Sequence, residues 1–215
     1  MDAPGSGTFS SPWRAARDVP GAEEVRSPVS EDSGHGDLDD AVLSARAAEG
    51  DDEAFALLVH RWSPPLLGLA YHLLGSVPDA EEAVQDAFIR AWRRLPEFRG
   101  DAAFGTWMYR IATNRCLTVL RARASSVPLD AVPEAMAHDA AGEPERAAET
   151  EAATQALSKA LAALPPEQRA CWVLRELHGL SYAEIAQVTR MSESTVRGRL
   201  YRARRTLVRE MAAWR

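Results

Sequence analysis

Two stretches of this sequence carry side chains suited to chemistry on nucleic acid. The first is Phe98-Arg99-Gly100-Asp101-Ala102-Ala103-Phe104-Gly105-Thr106-Trp107-Met108-Tyr109-Arg110-Ile111-Ala112-Thr113-Asn114, where aromatics alternate with arginines. Aromatic faces stack on unpaired bases at about 1–3 kcal/mol each while arginines hold the backbone, a combination suited to single-stranded DNA. Phe104, Trp107, Met108 and Ile111 also have the spacing of a core stripe, and on spacing alone that is the better reading. The second stretch runs from Ser192 to about Ala212. At 100° per residue, Val196, Leu200, Ala203, Leu207 and Met211 fall within about 80° of arc. Arg197, Arg199, Arg202, Arg204, Arg205 and Arg209 occupy the rest of the circumference. Ser194, Arg197, Gly198 and Tyr201 lie near the centre of the outward face. A helix of this kind fits a major groove, with arginines reading guanine or neutralising phosphates.

Little else in the chain suits catalysis. Glu81 and Glu82 are adjacent and point apart on a helix. The five histidines are scattered, Cys116 and Cys171 form no metal-ligand set, and no glycine-rich phosphate loop is present. We expect a non-enzymatic protein with no cofactor and no metal. No run approaches the ~20 apolar residues of a membrane span, and the acidic, Pro/Gly/Ser-rich start is unlike a secretory signal. The expectation is a cytoplasmic protein without direct membrane insertion.

The elements that must position these residues read as helices throughout. Residues 1–36 lack hydrophobic periodicity and read as a disordered tail. A short helix over 38–48 stops at Gly50. Asp51 or Asp52 caps the next, with Phe55, Leu58, Val59 and Trp62 on one face, and Pro64 and Pro65 should kink or break it before Leu66–Leu74. A third helix runs from Asp79 to Leu95, with Ala80, Val84, Ala87, Phe88, Ala91 and Leu95 as its core stripe. A fourth covers 103–123. Residues 125–148, rich in Pro, Gly and acids, read as a linker. Further helices follow over 149–163, 166–177 and 182–188, the last opened by a Ser181/Glu184 capping box, before the final arginine-rich helix. Arg190, in the turn between the last two, stands where many such turns use glycine, and a left-handed backbone there costs about 1 kcal/mol. The fold class is all-α: two small helical domains, 37–123 and 149–215, joined by an acidic linker over 124–148. The last two helices have helix-turn-helix proportions. A solvated arginine-rich helix or coiled-coil partner is the alternative, disfavoured by the short capped helix and turn before it.

Charge is divided along the same lines. The net −6 splits into −9 over 1–53 (four basic, 13 acidic), +3 over 54–124 (nine, six), −5 over 125–163 (two, seven) and +5 over 164–215 (ten, five). Two basic blocks separated by acidic ones suggest two polyanion-facing modules, although solvated helix faces produce the same pattern.

Taken in order, several motifs resemble the extracytoplasmic-function (ECF) sigma factors of bacterial RNA polymerase, in the sigma-70 family. They are Gly50-Asp51-Asp52-Glu53-Ala54-Phe55, Asp79-Ala80-Glu81-Glu82-Ala83-Val84-Gln85-Asp86-Ala87-Phe88, the Phe98–Asn114 segment, Leu164-Pro165-Pro166-Glu167-Gln168-Arg169, Gly179-Leu180-Ser181-Tyr182-Ala183-Glu184-Ile185-Ala186 and Ser194-Thr195-Val196-Arg197. The resemblance implies a factor that directs core polymerase to promoters and promotes DNA melting, in a stress or envelope response. It implies that 37–123 is sigma region 2 and 149–215 region 4. Glu82, Gln85 and Asp86 would then dock on the beta-prime clamp helices. Phe98, Phe104, Trp107, Tyr109, Arg110 and Asn114 would handle the minus-ten element. Ser194, Thr195, Arg197, Gly198, Tyr201 and Arg202 would read the minus-thirty-five element, with region 4 also touching the beta flap. An anti-sigma factor is a further partner implied. The competing reading from residues alone is a helix-turn-helix transcriptional regulator with a helical sensor domain, which would need a ligand pocket in 38–123.

Overall fold

Asp39 and Asp51 open the first two helices. The Asp39 carboxylate accepts from the Ala41 N–H at 3.3 Å and that of Asp51 from the Ala54 N–H at 3.0 Å, satisfying donors that a helix start leaves over. The structure, a computed structural model, describes residues 39–126 and 156–211. Helix α1 spans Asp40–Ala48, α2 Asp52–Leu74 and α3 Val77–Arg94, which runs into a 3-10 turn at Leu95–Glu97; α4 spans Phe104–Ser126. Helix α5 is described over 156–162, followed by α6 Pro166–Glu176, α7 Tyr182–Thr189 and α8 Glu193–Met211. The fold is all-α, and the described residues contain no strand. The expected tail over 1–36, nearly all of the expected linker and the residues after Met211 lie outside the described residues.

Of the expected kink or break at Pro64-Pro65, the break does not occur, since α2 is helical from Asp52 to Leu74. The two rings remove backbone donors, normally a loss of about 3 kcal/mol. Here Pro65, Leu66, Leu69, Ala70 and Leu73 all lie in the core, and that burial outweighs the missing bonds. One turn earlier, the Ser63 hydroxyl donates to the Val59 carbonyl at 2.6 Å. Helix α3 starts two residues before the expected position because Ser76 caps it and Pro78 sits in its first turn, where proline loses nothing. Its expected stripe, from Ala80 to Leu95, is buried throughout.

Helices α1–α4 pack into one bundle and α6–α8 into a second, and the two meet where α6 and α7 lie against α2 and α4. Arg169 ties that junction. It is buried, and donates to the carbonyls of Leu73 at 2.6 Å, Ala162 at 2.7 Å and Leu164 at 3.3 Å. Arg123 reaches the neighbouring Leu74 carbonyl at 3.2 Å and pairs with Asp79. Two arginines thus sit at the negative end of α2. The capping box of α7 forms as expected, Ser181 N–H to Glu184 Oε2 at 2.7 Å and Glu184 N–H to Ser181 Oγ at 3.2 Å. Arg190 closes α7 in the left-handed region at φ 54°, ψ 43°.

Candidate nucleic-acid interface

The N-terminal end of α4 is built around stacked rings. Phe98 lies 4.9 Å from Trp107 and 5.9 Å from Phe104, which is itself 5.7 Å from Trp107. Phe104, Trp107, Met108 and Tyr109 are buried, and Phe98 is half-buried. The Phe104–Ile111 stripe is therefore core, as its spacing suggested. The loop Arg99-Gly100-Asp101 is exposed, as is Asn114, while Arg110 is half-buried. Burial lowers the Arg110 pKa, and the guanidiniums of Arg190 and Arg94 lower it further. The Tyr109 hydroxyl is 3.1 Å from His178 Nδ1, in the loop between α6 and α7.

Helix α3 presents Glu82, Gln85 and Asp86 on its outer side. Two of these are held: the Arg115 side chain from α4 pairs with Glu82 at 3.1 Å and Asp86 at 2.7 Å. Gln85 is exposed. Beside it are two large apolar side chains that reach solvent, Ile89 at 44% exposure and Trp92 at 38%. Trp92 leans on Phe55 at 4.6 Å between ring centres. The sequence reading passed over both residues. An apolar residue outside the α3 core stripe was the available signal, since Ile89 follows Gln85 by four positions and Trp92 follows it by seven.

Helix α8 sorts as its wheel required. Val196, Leu200, Ala203 and Leu207 are buried, with Met211 half-buried. Ser194, Thr195, Arg197, Tyr201 and Arg202 are exposed, with Gly198 between them half-exposed. Ser192 caps the helix through the Thr195 N–H at 3.3 Å. Arg197 is steadied by Glu193 at 3.1 Å and by the Tyr182 ring at 5.6 Å. Arg204 pairs with Glu176 at 2.6 Å, which raises its pKa, so it braces α8 against α6. Burial pushes the Cys116 thiol up to about 12 and the Cys171 thiol up to about 11, which makes neither a thiolate nucleophile. No group of three His, Cys, Asp or Glu residues that could hold a metal exists among the described residues. None of the described helices is long and apolar enough to cross a membrane.

Residues 58–126 match the family described as Sigma-70 region 2, and residues 154–207 match Sigma-70, region 4. The ECF RNA polymerase sigma-E factor of Escherichia coli strain K12 is 40% identical over 181 residues, covering 79% of this chain and 93% of that protein. This chain is an ECF sigma factor of the sigma-70 family. Its similarity extends to the RNA polymerase sigma-H factor of Pseudomonas aeruginosa, 37% identical over 176 residues, with 78% of this chain and 91% of that protein covered. Among solved structures, CnrH in complex with the cytosolic domain of CnrY is similar at 30% identity and a TM-score of 0.62, covering 81% of this chain and 97% of the other. The sigma factor directs RNA polymerase to promoters, and the reading of these helices as a sensor-equipped regulator falls away.

Of the residues expected to touch DNA, this sigma factor presents the whole α8 set together on one open face. It does not do the same for the α4 set. Asn114 and the loop before Phe104 are open, while Trp107 and Tyr109 are enclosed. Trp62 and His178 enclose Tyr109; the sequence placed Trp62 only on a face of its own helix and did not single out His178, because nothing in local spacing relates residues so far apart.

Proposed function

We propose that residues 37–123 dock on core polymerase and open the minus-ten DNA, that 149–215 read the minus-thirty-five duplex, and that 124–148 link them behind a tail over 1–36. Glu82, Gln85 and Asp86 contact the beta-prime clamp helices. The loop from Phe98 to Phe104, with Arg110 and Asn114, receives the displaced strand, and Trp107 and Tyr109 belong to the melting helix. Unstacking a base costs a few kcal/mol, which stacking and hydrogen bonds in such a pocket can return. Ser194, Thr195, Arg197, Gly198, Tyr201 and Arg202 read base edges and phosphates in the major groove, and the same module touches the beta flap. An anti-sigma protein is the further partner of this reading; the similar CnrH was solved with the cytosolic domain of CnrY.

The observation that carries this reading is the open face of α8. Ser194, Thr195, Arg197, Tyr201 and Arg202 are exposed on a helix whose opposite side buries Val196, Leu200, Ala203 and Leu207, behind a capped helix and tight turn. Multiple-round transcription with purified core polymerase and a promoter library tests it. The chain should make core enzyme start at defined sites. Transcripts no more focused than those of core enzyme alone would sink it.

A further inference from the structure

The second bundle lies on the helix that the first would use to open DNA. Helix α7 packs along α4 and α6 lies against α2 and α4. Tyr109, inside the melting helix, is 2% exposed and hydrogen-bonded to His178, itself 3% exposed. Arg169 adds a bond across the same junction to the Leu73 carbonyl, and Arg121 pairs with Glu167 at 3.5 Å. The α8 reading face stays open in the same arrangement. One conformation therefore leaves the duplex-reading surface available and buries Tyr109 of the melting helix, while Asn114 and the loop before Phe104 stay open.

We infer that this packing is a closed state latched by Tyr109 and His178, that it withholds Tyr109 and its side of the melting helix from DNA, and that proton uptake by His178, with the half-buried His72 beside it, opens it. The inference rests on the proposed role of α4. A neutral imidazole suits this place and a charged one does not. The groups on the elements around His178 include Tyr109 and Arg110 from α4, His72 from α2, Glu167, Arg169, Arg175 and Glu176 from α6, and Tyr182, Glu184 and Arg190 at α7. Glu176 is committed to Arg204, Glu184 to the Ser181 N–H, Glu167 to Arg121, Arg169 to backbone carbonyls, and Arg175 to the Leu180 carbonyl and the Tyr182 ring. The remaining charged groups, Arg110 and Arg190, are cations that repel each other. His72 is half-buried, its Nδ1 2.7 Å from the Gly68 carbonyl.

The sign follows from burial. Desolvation, and then His72, push the His178 pKa down to about 3, and desolvation lowers that of His72. In an open state both return toward the ordinary value of about 6.5. The closed state thus keeps its full advantage above that pH. Below it, the closed-to-open ratio falls roughly tenfold per pH unit for each histidine, continuing toward the depressed values.

Energy transfer between dyes on Arg93→Cys in α3 and Gln187→Cys in α7, both exposed, tests this in the full chain without polymerase or DNA. The native cysteines are buried. Transfer should be high at pH 8 and fall between pH 6.5 and 5 while far-UV ellipticity holds. His72→Gln with His178→Gln should abolish that dependence. Tyr109→Phe should raise the open share at pH 8 about five-fold, as loss of one ordinary hydrogen bond does. Constant transfer in the parent chain overturns the inference. So does an unchanged pH curve in the double-histidine variant, or a fall in transfer that merely follows helix loss. Because polymerase is absent, such a failure leaves the sigma-factor reading intact. A chain with a working latch and no polymerase-dependent starts would fail the other way.

Discussion

Trp62 occupies the space in which residue 105 would carry a side chain. A Cβ built on Gly105 would lie 2.0 Å from Trp62 Cη2, 2.5 Å from Cζ2 and 2.8 Å from Cζ3. The indole is rigid, buried and anchored, its Nε1–H donating to Asp40 at 2.9 Å, and its ring meets Tyr109 edge-on at 5.8 Å. Gly105→Ala should therefore destabilise the first bundle by about 2 kcal/mol, an overpacking loss only partly offset by alanine's better helix propensity of about 1 kcal/mol. Urea unfolding measures it. In a Trp62→Leu background the same change should cost little, and a full penalty there would show that the indole is not the obstacle.

Arg169 is a buried cation whose guanidinium donates to three backbone carbonyls, and desolvation lowers its pKa. Replacing it with methionine relieves that desolvation but strips donors from Leu73, Ala162 and Leu164. Buried acceptors left unmade cost about 1–3 kcal/mol each, so the net loss should be about 2–3 kcal/mol in urea unfolding. Lysine should not rescue it, since one ammonium cannot span carbonyls on two sides of the junction. A lysine variant as stable as the parent would contradict this geometry.

The helices were legible in the sequence wherever the cause was local. Ser181 with Glu184, Gly50 at φ 95° and the α8 wheel all appear where their residue types demanded. Arg190 adopts the left-handed backbone that its place in the turn required, despite the cost to a residue with a side chain. What misled was a local rule overridden from a distance. Pro64 and Pro65 should kink or break α2, yet packing against four other helices holds it continuous. What stayed hidden was pairing across the chain. His178 is 69 positions from Tyr109, and Arg169 is 96 from Leu73; no periodicity connects them. The candidate site divides the same way, its α8 half readable from one helix and its α4 half dependent on what lies over it.

The exposed apolar pair on α3 gives a prediction about polymerase. Ile89 has 44% of its surface open and lies outside the buried stripe, so Ile89→Asp should change stability by no more than ~0.5 kcal/mol. Introducing a charge beside Gln85 should nonetheless weaken core binding about tenfold, since an apolar contact at an interface centre is worth 1 kcal/mol or more. Competition for core polymerase against a labelled sigma factor measures the affinity. Unchanged competition would place the docking surface elsewhere.

Arg197 offers the cleanest separation of reading from folding. Its side chain is exposed, and its pair with Glu193, one helical turn before it, contributes no more than ~0.5 kcal/mol. Arg197→Ala should leave the melting temperature nearly unchanged. It should erase about 1–3 kcal/mol of discrimination at one base pair of the minus-thirty-five element, the value of a bidentate arginine contact. Comparing start-site use on promoters altered singly across that element reads this directly. The variant should become indifferent at one position and remain selective at the others. Trp107→Ala cannot serve the same purpose for the minus-ten element, because removing a buried indole costs about 3–5 kcal/mol of stability. Asn114→Ala can, since its side chain is already open to solvent. It should slow promoter opening, followed by permanganate reactivity, without loss of binding to core enzyme. Equal loss of both would mean that Asn114 serves docking and does not line the strand-capture pocket.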